Sequence, residues 1–464
     1  MTQKSVTIIG GFVLSMALLL LAALGTACNK SSSVVSEKTK KQRLAWNLKT
    51  TVEAYNHAGF SNFAWDNQAR RCLTGFAQIL SQETNAGESV VDVISTNAAT
   101  AVNAGCTDPL VNYLYIKFSM PQSSSKEAFE TAFCKTARDL NSSSYPPIRK
   151  FYAAARALQQ IYHTYGTNAS THPELMEMLW NVYGRMEDAL RDDTMPARDA
   201  YEAAALALHM TSGNTFNHAK MYDIVEKPLF KNWPNADTTW LLKGHYYIDA
   251  AWDARGSGSG DTVTAEGWAG FTNDLAIARD ALEHAWKLNP KESEIADEML
   301  SVALGQGDRD QMELWFNRAM EANTNDYTAC SKKLYYLEPK WYGSDAEELA
   351  FGRECVQNTK WGGQVPLTLV DAHISIDSRN EGQAQMDYWK QPEVWADIQA
   401  AYDRYFELNP DDIGYYHNYV WYAYQAEQWA KLNELIPKLG PVNYNYFGGK
   451  EAFDQMVEAA NAHK

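Results

Sequence analysis

Trp252 and Arg255 stand three residues apart near the end of a predicted helix, and Trp268 opens the next helix across the tract Gly256-Ser-Gly-Ser-Gly260. Residues three apart share a helix face. One guanidinium and two indoles around a Gly-rich bend therefore form a candidate ligand-binding clamp, holding an anionic or planar group by stacking and a bidentate contact. The competing reading is that Arg255 caps the helix carbonyls and the Trp pair anchors the loop. Elsewhere the residues capable of chemistry are dispersed. There is no H-E-x-x-H and no C-x-x-C, so neither a metal nor a cofactor is expected. Gly256–Gly260 lacks the Lys-Ser/Thr of a phosphate loop, and Gly258 occupies the nucleophile position of G-x-S-x-G. His209 and His218 are not on one helical turn and read as separate surface or core residues. Asp192-Asp193 and Asp411-Asp412 sit at helix ends, where caps and dipole partners explain them. No catalytic residues emerge, and the chain is expected not to be an enzyme.

The elements that carry the clamp are a helix pair split by an insertion. Trp240, Lys243, Gly244 and Tyr247 have the W-x2-L-G-x2-Y spacing, with Lys in the Leu slot; Ala278, Leu282, Ala285 and Pro290 have the spacing of the second helix. These residues resemble the tetratricopeptide repeat, in which Gly to first Ala spans about 12 residues. Here Gly244 and Ala278 are 34 positions apart, so about 22 residues are inserted. The next unit places Met299, Ala303, Met312, Phe316 and Ala319 at buried positions. Leu408-Asn409-Pro410 repeats Leu288-Asn289-Pro290, followed by Tyr416, Tyr419, Val420 and Ala423, then Leu432, Leu435 and Ile436. Each pair has an apolar face that only a neighbour can cover. The expected fold is all-α, a TPR-like α-α superhelix: a helical-repeat solenoid with a Gly-rich insertion near 255–267.

Helical patterning extends upstream. Leu44, Leu48, Val52 and Tyr55 share a face, followed by predicted helices over 65–80, 90–104, 109–118, 126–139, 148–165, 172–191 and 196–211. A last helix over 449–462 closes the stack. Residues 365–376 (VPLTLVDAHISI) suit a strand or a buried helix equally. The expected organisation is a signal peptide over 1–27, a polar tether over 28–42, an N-terminal helical region over 43–211 and TPR-like repeats over 212–464.

The N-terminus reads as an export signal. Lys4 precedes an uncharged apolar run, Val6–Leu24, and Gly25-Thr26-Ala27 leads to Cys28. Cys after small residues resembles the bacterial lipoprotein box, with Gly25 where Leu is usual and Leu24 one place earlier. The resemblance implies lipidation at Cys28 and membrane attachment through that anchor. Cleavage as an ordinary signal and an uncleaved span are the alternatives. Asn29 is not the Asp of inner-membrane retention, which favours the outer membrane of a bacterial envelope.

The net charge is −16, and removing residues 1–27 takes away only Lys4, leaving −17. No basic stripe offsets it, so nucleic acid is not an expected partner. The 15 Trp and 26 Tyr either fill spaces between helices or line a groove for a peptide or glycan. Cys330 and Cys355 lie about equally far from the turn at Pro339–Gly343, so a helix hairpin would oppose them, and a disulfide is expected there. Cys106 could pair with Cys72 or Cys134; buried thiols throughout are the alternative.

The segment from Trp240 to about Cys355, with AWDARGSG, WKLNP, WFNRAM and PKWYGS, is similar to a bacterial family of exported repeat proteins with no assigned activity. That resemblance implies scaffolding: binding of a protein or extended peptide by a membrane-tethered chain, with a carbohydrate- or nutrient-binding lipoprotein as the alternative.

Overall fold

The computed structural model describes residues 37–83, 89–212 and 215–463. The segment expected to be a signal peptide, Cys28 and most of the expected tether lie outside them. The described chain is helical, with no strand among the described residues. No described helix is long and apolar enough to cross a membrane. The helices group into two compact units, residues 37–288 and 289–463.

Local chemistry sets the helix ends. Ser89, Ser125, Asp308, Asp326 and Ser344 each accept a backbone N–H from the first turn of the helix they precede, which satisfies donors that have no intrahelical partner. Pro109, Pro147 and Pro392 occupy first-turn positions, where a missing N–H costs nothing. Gly307 ends its helix in the left-handed region, φ +67°, which a Cβ would disfavour.

In the first unit, sequential helices pack as neighbours: Asp66–Leu80 on Val90–Asn103, Lys126–Ser142 on Pro147–Tyr165, and Pro147–Tyr165 on Leu175–Ala189. The helix Glu37–Leu48 packs on Asp66–Leu80. The most extended pairing is that of Asp237–Arg255 along Ala265–Leu288. Most of the sequence expected to be an insertion is helical, and the loop between the two helices is only 256–264. Gly244 is the close-approach point. A Cβ there would stand 2.4 Å from Leu282 Cγ. Lys243, at the position where the repeat pattern has Leu, sets its ammonium over the Phe230 and Tyr247 rings, 5.4 and 5.7 Å from their centres, and reaches Glu226 at 3.4 Å.

In the second unit, Ser293–Gln306 packs on Arg309–Ala322, Asp345–Gln357 on Thr368–Asp377, and Tyr416–Gln425 on Trp429–Leu435. Met299, Ala303, Met312, Phe316 and Ala319 are buried, as are Tyr419, Val420, Ala423, Leu432 and Leu435. Tyr416 and Ile436 are half-buried. The helix Lys450–Ala462 packs on Trp429–Leu435. Residues 365–376, ambiguous in sequence, are helical: a 3-10 turn Val365–Leu367 runs into Thr368–Asp377.

The disulfide expected between Cys330 and Cys355 is not formed. The hairpin does bring the two thiols within hydrogen-bonding reach of each other, but both are free and buried, as are Cys72, Cys106 and Cys134. Cys330 Sγ is turned toward Met320 Sδ, at 3.9 Å.

Asp108 illustrates a cap made inside the core. Its carboxyl is fully buried and accepts the N–H groups of Leu110 and Val111, both at 2.9 Å, and the Tyr145 hydroxyl at 2.9 Å. Burial outweighs these donors and pushes the carboxyl up to about 6 from 3.8. The folded state thus holds a proton that the unfolded chain has lost. Stability should fall as pH rises from about 4 to about 6, by roughly 3 kcal/mol in total. Asp108→Asn keeps the cap and should remove that slope. Urea midpoints across this pH range check it, and an unchanged slope in the variant would refute the assignment.

Candidate ligand-binding sites

The structure brings Trp252, Arg255 and Trp268 together. The Arg255 guanidinium lies 5.6 Å from the Trp252 ring centre and 5.5 Å from that of Trp268. Both indoles meet Phe271 edge-on, at 5.0 and 5.8 Å. Nη1 of Arg255 donates to the carbonyls of Gly256 and Gly258, at 3.0 and 3.1 Å, while Gly256 takes φ +74° to let the chain turn. The guanidinium therefore holds its own loop by two backbone contacts while stacked between the rings. Trp268 remains 40% exposed, so one face of the assembly meets solvent.

A second polar assembly, in the second unit, leaves no signature in the sequence because its members lie on four separate helices. His373 is buried. Its Nδ1 faces the Tyr388 hydroxyl at 2.8 Å and its Nε2 faces Asp397 at 3.2 Å. Arg353 in turn grips Asp397 at 2.7–3.1 Å. The carboxylate fixes the proton on Nε2, so Nδ1 accepts from tyrosine. Burial lowers the His373 pKa and raises that of Tyr388. An Asp-His-Tyr chain has the connectivity of a proton relay, yet its tyrosine is buried. The neighbouring depression, formed by Ala350, Arg353, Glu354, Gln357 and Asn358, meets the chain only at Arg353, whose guanidinium is engaged by Asp397. This is a lock between helices.

Metal-ligating side chains converge at two places in the first unit. His218 and His245 point Nε2 at the same Asp249 oxygen, from 4.0 and 3.7 Å. Burial lowers the pKa of both His218 and His209, with His245 repelling each. His209 and His218, set apart by their spacing, thus share one neighbourhood. The legible signal is His245 and Asp249 at i, i+4. The tighter convergence is Glu130, Cys134 and Glu174, whose ligand atoms all lie within 4.8 Å of one another. The sequence presents Cys134 as a disulfide partner or a buried thiol, not as a ligand. Glu130 and Cys134 are also one helical turn apart, a spacing that puts both on one face.

Of the paired acids, Asp192 and Asp412 hold turns rather than cap helices, since Pro196 and Tyr415 precede the helices that follow and neither helix has a side-chain cap. Asp192 accepts from Thr194 and from the Trp46 indole, and Asp412 accepts from Gly414 and the Tyr405 hydroxyl. The aromatic rings are mostly enclosed. Tyr402 stacks on Tyr419 at 4.7 Å and Phe406 on Tyr416 at 3.9 Å. Among the described residues, the exposed Trp and Tyr are Tyr162, Trp180, Trp268, Tyr342, Tyr444 and Tyr446, spread over five segments of the chain.

Comparison with protein-family models, with curated proteins and with solved structures finds no match to this chain.

Proposed function

We propose that the chain is an exported helical-repeat scaffold, tethered to a bacterial envelope through lipidated Cys28, that binds a protein or an extended peptide and catalyses no reaction. The placement of the aromatic side chains carries this reading. A glycan groove needs rings in a row facing solvent, whereas here they fill the contacts between helices and the few exposed ones are dispersed. TPR-like stacking is supported by the helix pair around Gly244 and Leu282 and by burial of the residues placed inside by the 34-residue register. The surplus of acid favours solubility and a partner without strong negative charge.

The test is a crosslinking pulldown from native membranes, wild type beside Cys28→Ala. The variant is expected to leave the membrane fraction and to lose the protein crosslinks of the wild type. Wild type that stays on the membrane, captures no protein and is stabilised in thermal shift by oligosaccharides would overturn the scaffold reading.

A further inference from the structure

Glu130 and Cys134 stand one turn apart on Lys126–Ser142, and Glu174 meets them from the turn that opens Leu175–Ala189. Cys134 is shut off from solvent and Glu130 is 5% exposed. The Cys134 thiol has one proton for two carboxylates: it faces Glu130 Oε1 at 3.3 Å and lies within hydrogen-bonding reach of Glu174 as well. Glu174 Oε2 is itself enclosed and has no well-aligned donor, so with a single thiol proton shared between two carboxylates one of them is always short of a donor, an arrangement that costs free energy unless a cation supplies it. The other Glu174 oxygen is taken by Arg138 at 2.5 Å, and Arg138 also reaches Glu177 near the surface at 3.1 Å. Arg138 therefore fixes the Glu174 carboxylate with Oε2 turned inward.

His172 orients the opposite side. Its Nδ1 accepts the Glu174 backbone N–H at 3.3 Å, so the neutral ring carries its proton on Nε2, which lies 3.6 Å from Glu130 Oε1. Tyr165 covers the imidazole at 4.7 Å. Two carboxylates and one sulfur thus converge, backed by an Arg and a His that hold the carboxylates in place, the usual outer layer of a metal site.

We propose that Glu130, Cys134 and Glu174 bind one divalent transition-metal ion of the zinc class, a site independent of the scaffold reading. A thiolate ligand selects borderline-soft ions over magnesium or calcium, and three protein ligands leave a fourth position open. On binding, the Cys134 S–H bond breaks, the sulfur–metal bond forms and one proton passes to solvent. The ion and Arg138 together balance the charges of the two carboxylates and the thiolate. The ion would tie Lys126–Ser142 to the start of Leu175–Ala189.

Co2+ is the probe. The full chain, stripped with chelator, is titrated with Co2+ and followed by absorption. One equivalent should produce the thiolate-to-cobalt charge-transfer band of a tetrahedral site, Zn2+ should displace it, and Zn2+ should raise Tm. Cys134→Ser should abolish the band, Glu174→Gln should weaken binding by roughly tenfold or more, and Cys72→Ser should change neither. Circular dichroism reports whether each variant folds; should Cys134→Ser not fold, Glu174→Gln decides. A wild-type chain that gives no charge-transfer band, a band that survives in folded Cys134→Ser, or unchanged affinity in Glu174→Gln overturns the proposal.

Discussion

Replacing Arg43 with leucine is expected to destabilise the first unit by about 3–5 kcal/mol, the range for removing one partner of a buried ion pair. Arg43 is only 1% exposed, although it lies on the first described helix. Its Nε donates to Asp199 at 2.8 Å and its Nη2 to Glu202 at 2.7 Å. Asn47 adds a donor to Asp199 at 3.2 Å and in turn accepts from Arg149, which also donates to Thr50 at 2.6 Å. A π-helical turn over Lys49–Glu53 sits where this network meets the backbone. Burial opposes the charge on Arg43, and the two carboxylates overcome it and hold the guanidinium protonated. Leucine leaves Asp199 enclosed without its cation, whereas replacing Arg43 and Asp199 together by apolar residues should recover much of the loss. Native-state hydrogen exchange on peptides from Glu37–Leu48 and Ala197–His209 localises the effect. A loss below about 1 kcal/mol, the scale of a surface pair, would mean that the network is wetter than the geometry indicates.

The second large effect concerns the split helix pair. Gly244→Ala is expected to cost about 1–3 kcal/mol by overpacking, because its new Cβ would fall on Leu282 Cγ and Cδ2, and Leu282 is fully buried. Leu282→Ala alone should cost about 2–5 kcal/mol through the cavity it opens. The two together should cost less than their sum by about 0.5–3 kcal/mol, since the alanine methyl at 244 enters the space that the leucine vacates. Urea unfolding of the four proteins measures the coupling. Strict additivity would show that the helices do not pack through this contact, and with it would go the main support for a tetratricopeptide-like pair. Gly267 and Gly270 extend the same close approach, since a Cβ on either would meet Ala254 at 2.9–3.0 Å.

Much of the helical layout is written in the linear chain. The predicted helices 90–104, 109–118 and 148–165 correspond to Val90–Asn103, Pro109–Phe118 and Pro147–Tyr165. Their ends are set by caps and prolines within a turn of the boundary, and their faces by a period of 3.6, both of them local properties of the sequence. The meeting of Trp252, Arg255 and Trp268 is legible for the same reason: two share a helix face and the third lies across one short bend. Which of the two readings holds is not, because the choice depends on the Gly256 and Gly258 carbonyls that the turn presents to Arg255 only once folded.

What sequence alone determined was therefore the all-helical class, many of the helices, and the helical spacing that put Met299, Ala303, Met312, Phe316 and Ala319 inside; the helices Thr215–Asn232 and Pro392–Leu408 were not read from it. Tertiary structure decided which distant polar groups share a site. Arg43 finds Asp199 across 156 positions, Cys134 meets Glu174 rather than another cysteine, and His209 and His218 gather about His245 and Asp249. It also left Cys330 and Cys355 as neighbouring thiols and resolved 365–376 as helix. The physical reason is common to all of these. A helix is built from contacts three or four residues apart, which a linear pattern records. The partner of a buried charge or ligand is set by how two helices cross, and that angle arises from packing whole faces together.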